Sequence, residues 1–338
     1  MPAPVLFPIA PVPDRLREKR EVTYHRLACR SVLTRNPNPD FPFYWGINPY
    51  RGCEIGCTYC YARYTHTFMD LDDPLDFERK IFVKTNAPAV LARTVDPEDL
   101  RDRPVAIGTA TDPYQPAERR YGITRRLLAA LAPCPTLDLS ITTKSDLILR
   151  DLDLLTAIAR TRPLRVHVSL TSMDASLLRR IEPGSPTPER RIATVAALRA
   201  AGIATDLYVM PILPRITGEE ADLDRLFAAA RAAGACHIAV TLLHLRTAPR
   251  RRFFPFLAAE FPELLAWYRA AYRRSAYLRG PGRDEIVARV RRLRARHGFT
   301  GATCGGDERE PDSAPRRQLA FSWGGGTPSA APRATCRP

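Results

Sequence analysis

The sequence predicts an α/β protein built as a partial (β/α)6 barrel of the TIM type, with an irregular N-terminal extension and a helical C-terminal extension. Three observations predict this fold. Six strand-like runs alternate with helix-like segments, which is typical of parallel βα units. Several of these runs carry polar residues on one face only. A group of three cysteines directly follows the first run.

The predicted strands are short and are separated by segments with helical periodicity. The strand-like runs are residues 43–48, 105–111, 137–144, 164–171, 204–210 and 237–244. The helix-like segments are residues 119–131, 152–160, 188–201 and 219–232. The longer interval from residue 61 to residue 100 contains one more possible strand, residues 78–84. Six βα units predict a partial barrel, since a closed barrel of this type has about eight.

The chain divides into four predicted parts. They are an N-terminal extension (1–43), the core barrel (44–245), a helical C-terminal flank (246–300) and a disordered tail (301–338). The first part is rich in proline and charge and lacks sustained periodicity. In the flank, Ile286, Val290 and Leu293 share one face of a basic helix over residues 284–297. Gly, Pro, Ser and charge dominate the last part, a composition typical of disorder.

Polar and apolar side chains alternate in the central strands. The polar residues that share a face are Asp138, Ser140, Thr142 and Lys144, then Arg165, His167, Ser169 and Thr171, then Asp206 and Tyr208. Parallel strands covered on both faces are usually continuous apolar runs, so the polar faces are predicted to line the barrel lumen. Such a lumen would leave costly unpaired groups unless a polar ligand or water filled it. An antiparallel sheet with one solvated face would show the same alternation and stays open as an alternative.

The motif CxxxCxxC, formed by Cys53, Cys57 and Cys60, carries the strongest chemical signal. Gly52 and Gly56 let this loop curl so that three thiolates converge on one metal centre. Thiolates select zinc, copper(I) or iron–sulfur clusters. Structural zinc normally takes four protein ligands, and no fourth Cys or His follows at finger spacing, which favours a cluster with one open iron. A zinc site with a distant fourth thiol and three cysteines without metal stay open as alternatives.

Composition restricts the other function classes. No apolar run is long enough to span a membrane, and the N-terminus does not have the pattern of a signal peptide, so we expect a cytoplasmic protein that does not bind membranes. The other five cysteines are scattered singly, which does not indicate a disulfide framework. The net charge is +15, but only four of the 51 basic residues are lysine. A GC-rich genome produces that bias, so the charge is weak evidence for a nucleic-acid partner.

The cysteine motif, with Tyr59 just before its third cysteine, resembles the signature of the radical S-adenosylmethionine (radical SAM) enzymes. The segments 76–84, 111–118 and 181–190 narrow the resemblance to the spore photoproduct lyase-like branch and its Rv2578c-like bacterial members. The resemblance implies a 4Fe–4S cluster whose open iron binds S-adenosylmethionine (SAM). It also implies reductive cleavage of SAM to a 5′-deoxyadenosyl radical, fed by an electron donor such as flavodoxin or ferredoxin.

The resemblance also implies where SAM is contacted. The positions that match contacts in the lyase are Tyr59, Thr111, Lys144, Ser169 and Met210. Thr109, Thr111 and Asp112 stand where other members contact the methionyl amine, although capping or loop structure would explain any of these residues as well. The lyase carries a cysteine that returns a hydrogen atom to the repaired base, and this chain has Thr109 in that place. The identity of the substrate therefore does not carry over.

Three functions remain from the sequence. The first is a radical SAM enzyme that abstracts hydrogen from an unidentified substrate, which includes nucleic acid among its possible classes. The second is a lyase-like repair of DNA lesions. The third is a non-catalytic nucleic-acid-binding protein whose zinc is held by the three cysteines and one distant thiol. The sequence assigns neither a catalytic residue nor an oligomeric state.

Overall fold

A computed structural model describes residues 7–9, 21–39 and 41–299. Within these residues the strands are β1 (Phe7–Ile9), β2 (Thr23–Arg26), β3 (Leu33–Arg35), β4 (Trp45–Ile47), β5 (Tyr50–Arg51), β6 (Lys80–Val83), β7 (Val105–Ile107), β8 (Leu139–Thr143), β9 (Leu164–Ser169), β10 (Ala204–Ile212) and β11 (Ile238–Leu242). The α-helices are α1 (Tyr64–Thr67), α2 (Asp76–Arg79), α3 (Ala87–Thr94), α4 (Ala117–Tyr121), α5 (Ile123–Leu131), α6 (Leu152–Ala159), α7 (Ala175–Ile181), α8 (Pro188–Ala200), α9 (Glu220–Ala232), α10 (Thr247–Glu260), α11 (Pro262–Ala271) and α12 (Pro281–Arg296).

The larger sheet contains the predicted barrel strands. Its order is β11–β10–β9–β8–β7–β4–β3. Every neighbouring pair from β4 to β11 is parallel, and β3 is antiparallel to β4 at the edge. Six parallel strands with helices between them confirm the predicted partial α/β barrel. The parallel register also shows that the alternative of an ordinary antiparallel sheet is wrong.

The register places the polar faces of the central strands side by side. Thr142 lies opposite His167, and His167 lies opposite Asp206. The apolar residues that alternate with these polar ones along each strand, such as Val166 and Leu207, are fully buried. They pack under the outer helices, where each buried aliphatic side chain contributes ~1.5–3 kcal/mol. The polar faces therefore line the lumen, as the alternation predicts.

A second sheet flanks the barrel in the order β1–β2–β6–β5. The extra strand expected over residues 78–84 is present as β6 but belongs to this sheet, where it pairs with β2 and β5. Residues assigned to the N-terminal extension contribute β1, β2 and β3. These strands are three or four residues long, too short for an alternating pattern to stand out in the sequence.

The helices agree with the prediction except where local signals are weak. The segment 119–131 is split into α4 and α5 at Gly122, whose positive φ of 58° interrupts the helix. The helices α3 and α7 are shorter than nine residues and were not predicted. In α12, Ile286, Val290 and Leu293 are buried, as their spacing predicts. The predicted disordered tail, residues 301–338, lies outside the described residues. No helix in the described ranges is long and apolar enough to cross a membrane.

Candidate cluster and cofactor site

The cysteine loop begins directly after β5 and lies between the two sheets. Gly52 has a φ of +83°, and a Cβ atom at this position would lie 2.8 Å from the carbonyl oxygen of Lys80 and 2.9 Å from that of Phe77. Only glycine fits such a close approach in this conformation. The backbone N–H of Cys53 then donates to the carbonyl of Phe77 at 2.8 Å. The turn is thus anchored before the first thiol.

Cys53 and Cys57 are buried and Cys60 is partly exposed, and the three thiols are close enough to influence one another. Burial is the largest effect that raises the pKa values of Cys53 and Cys57, and the charge of Cys60 raises both further. Burial also raises the pKa of Cys60. Without a bound cation these groups stay protonated, whereas a metal centre needs thiolates and releases their protons on binding. Three thiols in one buried loop fit a cluster that takes one thiolate on each of three irons.

The zinc alternative requires four converging ligands. In the part of the chain that the structure describes, no group of three or more His, Cys, Asp or Glu side chains is placed to hold a single metal ion. In the described residues, three further cysteines, Cys29, Cys134 and Cys236, lie outside the motif. Cys304 and Cys336 lie outside the described residues.

Arg63 holds the cysteine loop from inside the protein. Its side chain is almost fully buried, and Nη2 donates to the carbonyl of Cys57 at 2.7 Å and to the carboxylate of Glu78 at 2.8 Å. Nη1 donates to the carbonyl of Pro74 at 2.6 Å. Arg252 of α10 lies 3.6 Å from the other oxygen of Glu78. This charged group therefore ties the cysteine loop to the C-terminal helices.

The loop after β7 is fastened to the cysteine loop and to β8. Thr111 donates its hydroxyl proton to the carbonyl of Gly52 at 2.6 Å. Asp112 accepts from the Thr143 hydroxyl and from the backbone N–H of Lys144, both at 2.7 Å. Burial raises the pKa of Asp112, and these hydrogen bonds oppose that shift. Both predicted residues are therefore at the site, with their polar atoms engaged by the protein.

Thr109 lies beside Asn48, which immediately precedes the cysteine segment. The Asn48 side chain donates to the Thr109 hydroxyl at 2.9 Å and accepts from the backbone N–H of Ala110 at 2.8 Å. The hydroxyl of Tyr61 donates to the Thr109 carbonyl. Asn48 was not among the predicted site residues. Its position between β4 and the cysteines was the one feature of the sequence that could have indicated a role at the site.

Lys144 and Tyr59 both lie next to the carboxylate of Glu182, a residue that was not among the predicted site residues. The amino group of Lys144 lies 3.8 Å from Oε1 of Glu182, and the Tyr59 hydroxyl donates to the same oxygen. Burial disfavours the charged form of Glu182, but the charges of Arg191 and Lys144 outweigh it and lower its pKa to about 2. Burial likewise disfavours the Lys144 ammonium, yet the charge of Glu182 contributes to a pKa that is raised overall.

Ser169 and Met210 occupy the neighbouring strands β9 and β10. Ser169 is buried at the end of β9, and its carbonyl accepts from Arg191 at 2.9 Å. Met210 lies two residues beyond Tyr208, the partner of Ser169 in the parallel register. The predicted cofactor residues thus line the mouth formed by consecutive strand ends, which is where α/β barrels bind ligands.

Deeper in the lumen, a polar group spans β9 and β10. The rings of His167 and Tyr208 are stacked with centroids 4.1 Å apart. Asp206 lies 3.3 Å from Nδ1 of His167 and accepts from Arg165 at 3.0 Å. These residues form a polar wall along the lumen, with Tyr208 level with Ser169 and the other three residues below it.

Comparison with known proteins agrees with this geometry. A model of the Radical SAM superfamily matches residues 47–227. The chain is 42% identical over 281 residues to the Uncharacterized protein Rv2578c of Mycobacterium tuberculosis, covering 83% of this chain and 82% of that protein. It is 30% identical over 174 residues to the Uncharacterized protein MJ0683 of Methanocaldococcus jannaschii, covering 52% and 62%.

Among solved structures, the fold is similar to that of a spore photoproduct lyase variant with bound AdoMet and dinucleoside spore photoproduct. The TM-score is 0.60 at 15% sequence identity, covering 82% of this chain and 79% of the other. At that identity the similarity concerns the fold alone. The resemblance stated from the cysteine motif is confirmed by the family match and by the relative in M. tuberculosis. This chain belongs to the radical SAM superfamily.

Proposed function

We propose that this chain is a radical SAM enzyme that holds a 4Fe–4S cluster on Cys53, Cys57 and Cys60 and binds SAM beside it. When bound, the cluster supplies the electron that cleaves SAM to methionine and a 5′-deoxyadenosyl radical, which abstracts hydrogen from a substrate. The observation that carries the proposal is the single loop of three mutually interacting thiols, two of them buried and that of Cys60 partly exposed, at the mouth of a polar barrel lumen.

The chain's own residues would bind and orient SAM. Lys144 offers an ammonium group for the methionyl carboxylate, and Ser169 a hydroxyl for the ribose. Tyr59, Thr109, Thr111, Asp112 and Met210 stay predicted cofactor contacts. Because Thr111 and Asp112 already hydrogen-bond the protein, we propose that they act mainly by fixing the loop that borders the cofactor.

The substrate would enter the lumen from the same mouth. The polar wall of His167, Asp206 and Tyr208 supports a substrate with hydrogen-bonding groups. Repair of a DNA lesion is a second candidate, supported by the fold shared with spore photoproduct lyase. An electron donor of the flavodoxin or ferredoxin type, a cytoplasmic location and the four-part division of the chain stay predictions.

Anaerobic purification tests the proposal directly. We expect a brown protein that contains iron and sulfide and, when reduced with dithionite, converts SAM to 5′-deoxyadenosine. Replacement of any one of the three cysteines by Ala should abolish cluster binding, because each thiolate holds a different iron. Cys134→Ala, which removes a thiol outside the motif, is the matched control and should keep the cluster. A colourless protein containing zinc would overturn the proposal in favour of the zinc alternative.

A further inference from the structure

Glu182 receives contacts from four separate segments of the site. It follows α7, and its side chain is fully buried. Tyr59 of the cysteine loop, Thr171 after β9 and Arg191 of α8 donate hydrogen bonds to its carboxylate, and Lys144 at the end of β8 lies close by. One carboxylate thus contacts the cysteine loop and the ends of β8 and β9, three of the elements that are proposed to hold the cofactor.

The contacts are divided between the two carboxylate oxygens. Oε1 accepts from Tyr59 and, at 3.3 Å, from Thr171, whereas Oε2 accepts from Arg191. The Lys144 amino group is 3.8 Å from Oε1, beyond hydrogen-bond distance. Glu182 therefore attracts the ammonium without consuming its donors, and an ammonium group has three to offer.

Arg191 extends the network to Ser169. The arginine is fully buried, and Nη1 donates to the Ser169 carbonyl at 2.9 Å while Nη2 donates to Glu182. The segment around Glu182 is also hydrogen-bonded to the cysteine loop through its backbone. Gly184 donates to the carbonyl of Ile55, and Thr58 donates to that of Ile181, both at 2.9 Å.

Stability alone does not account for such a pair. Removing two charges from water is costly, and well-packed apolar residues often stabilise a fold equally well or better. What a buried ion pair can add is a defined position for the groups bound to it. Here those groups are Tyr59, Lys144 and the Ser169 backbone.

We propose that Glu182, held by Arg191, is a positioning residue for SAM: it aims the Lys144 ammonium at the methionyl carboxylate and keeps Tyr59 in register with the cluster. The inference rests on the proposed function and adds a residue that does not itself touch the cofactor. Loss of the Glu182 charge frees the lysine, so SAM affinity falls while the cysteines still hold iron.

The test compares Glu182→Gln with wild type in the reconstituted full chain. We expect unchanged iron content, SAM binding weakened about tenfold in equilibrium dialysis because a charged contact is lost, and a smaller change of the reduced-cluster EPR spectrum at a fixed SAM concentration. Glu118→Gln is the matched control, since Glu118 is another buried carboxylate bonded to a tyrosine and an arginine, Tyr50 and Arg150. It should bind SAM like wild type.

A double-mutant cycle distinguishes positioning from a general structural effect. In a Lys144→Met background, Glu182→Gln should cause a clearly smaller loss of SAM affinity than in wild type, because the part of its effect that passes through Lys144 is already lost. Additive losses would overturn the proposal. Wild-type affinity of Glu182→Gln in a chain that does bind SAM would overturn it too, while leaving the proposed function intact.

Failure of the wild type to bind iron or SAM would defeat the proposed function and this inference together. If Glu182→Gln does not retain iron, Thr171→Val provides the second test, because it removes one hydrogen bond from the same carboxylate and leaves every cysteine untouched. We expect full iron and SAM binding weakened about threefold. Unchanged SAM binding by Thr171→Val would then overturn the inference.

Discussion

Among single residues, Arg63 shows how the protein itself holds the cysteine loop. Its guanidinium bonds two carbonyls and one carboxylate in different directions, which the single point charge of lysine does not reproduce. We expect Arg63→Lys to assemble the cluster but lose iron to a chelator several-fold faster than wild type. Iron release followed by absorbance measures this, with the exposed Arg291→Lys as control. Equal release rates in all three proteins would contradict the role given to Arg63.

His66 makes the stability of this region depend on pH. Its ring packs against Phe77 and Phe82, and Nε2–H donates to the Lys80 carbonyl at 3.0 Å. Burial lowers the His66 pKa from 6.5 to about 4. As pH falls through this window, the unfolded chain takes up a proton that the folded chain refuses, so stability falls.

The expected loss attributable to His66 is about 2 kcal/mol between roughly pH 7 and pH 5. Urea denaturation of the full chain at the two pH values measures it. His66→Gln removes the titrating ring and should flatten this part of the dependence. Thr65→Ser, one residue away in α1, should behave like wild type. A His66→Gln protein with the same pH dependence as wild type would show that other groups carry it.

The residues that would bind the cluster and the cofactor were predicted from the sequence better than the residues that hold them in place. Cys53, Cys57 and Cys60 are recognisable because their spacing is local, and Lys144 because it ends a strand with a polar face. Glu182 lies 123 residues from Tyr59 along the chain. A contact between residues so far apart produces no periodicity or local spacing in the sequence. The contacts of Glu182 are therefore known only from the folded structure.

Among the secondary-structure elements, α12 packs against the rest of the protein through an apolar face. Leu293 is 1% exposed, and the helix packs against α9, where Arg292 and Arg296 also pair with Glu220 and Asp224. We expect Leu293→Ala to lower the free energy of unfolding by about 2–5 kcal/mol. Arg291→Ala, on the exposed face of the same helix, should change it by less than ~0.5 kcal/mol. Denaturant titration measures both, and similar losses would mean that the apolar face does not carry the packing.

The accuracy of the element predictions follows the length of each pattern. β8, β9 and β10 are long enough to show alternation, and α12 shows three buried positions at helical spacing. β2 and β3 offer only a few residues each, and their partners β6 and β4 lie elsewhere in the chain. Whether β6 joins the barrel or the second sheet depends on those partners, so the sequence alone did not decide it.

At the scale of the whole molecule, the two sheets enclose the cysteine loop. The barrel supplies Lys144 and Ser169 at consecutive strand ends. The second sheet supplies the carbonyl of Lys80, which lies so close to position 52 that only glycine fits there. Thr109 lies on the barrel side, next to Asn48 and Tyr61.

Thr109 stands where DNA repair of the lyase type would need a hydrogen-donating thiol. An O–H bond is much stronger than an S–H bond, so Thr109 does not return a hydrogen atom to a substrate radical as a thiol does. We expect reduced, reconstituted protein not to restore thymines efficiently from the dinucleoside spore photoproduct or from lesion-bearing duplex DNA, even if the excess of arginine allows binding that weakens with salt. Anaerobic incubation followed by chromatography measures the products, and release of thymines over many turnovers would refute the prediction. Thr109→Cys is the sharper comparison, because repair gained by this variant would mean that only the hydrogen donor was missing.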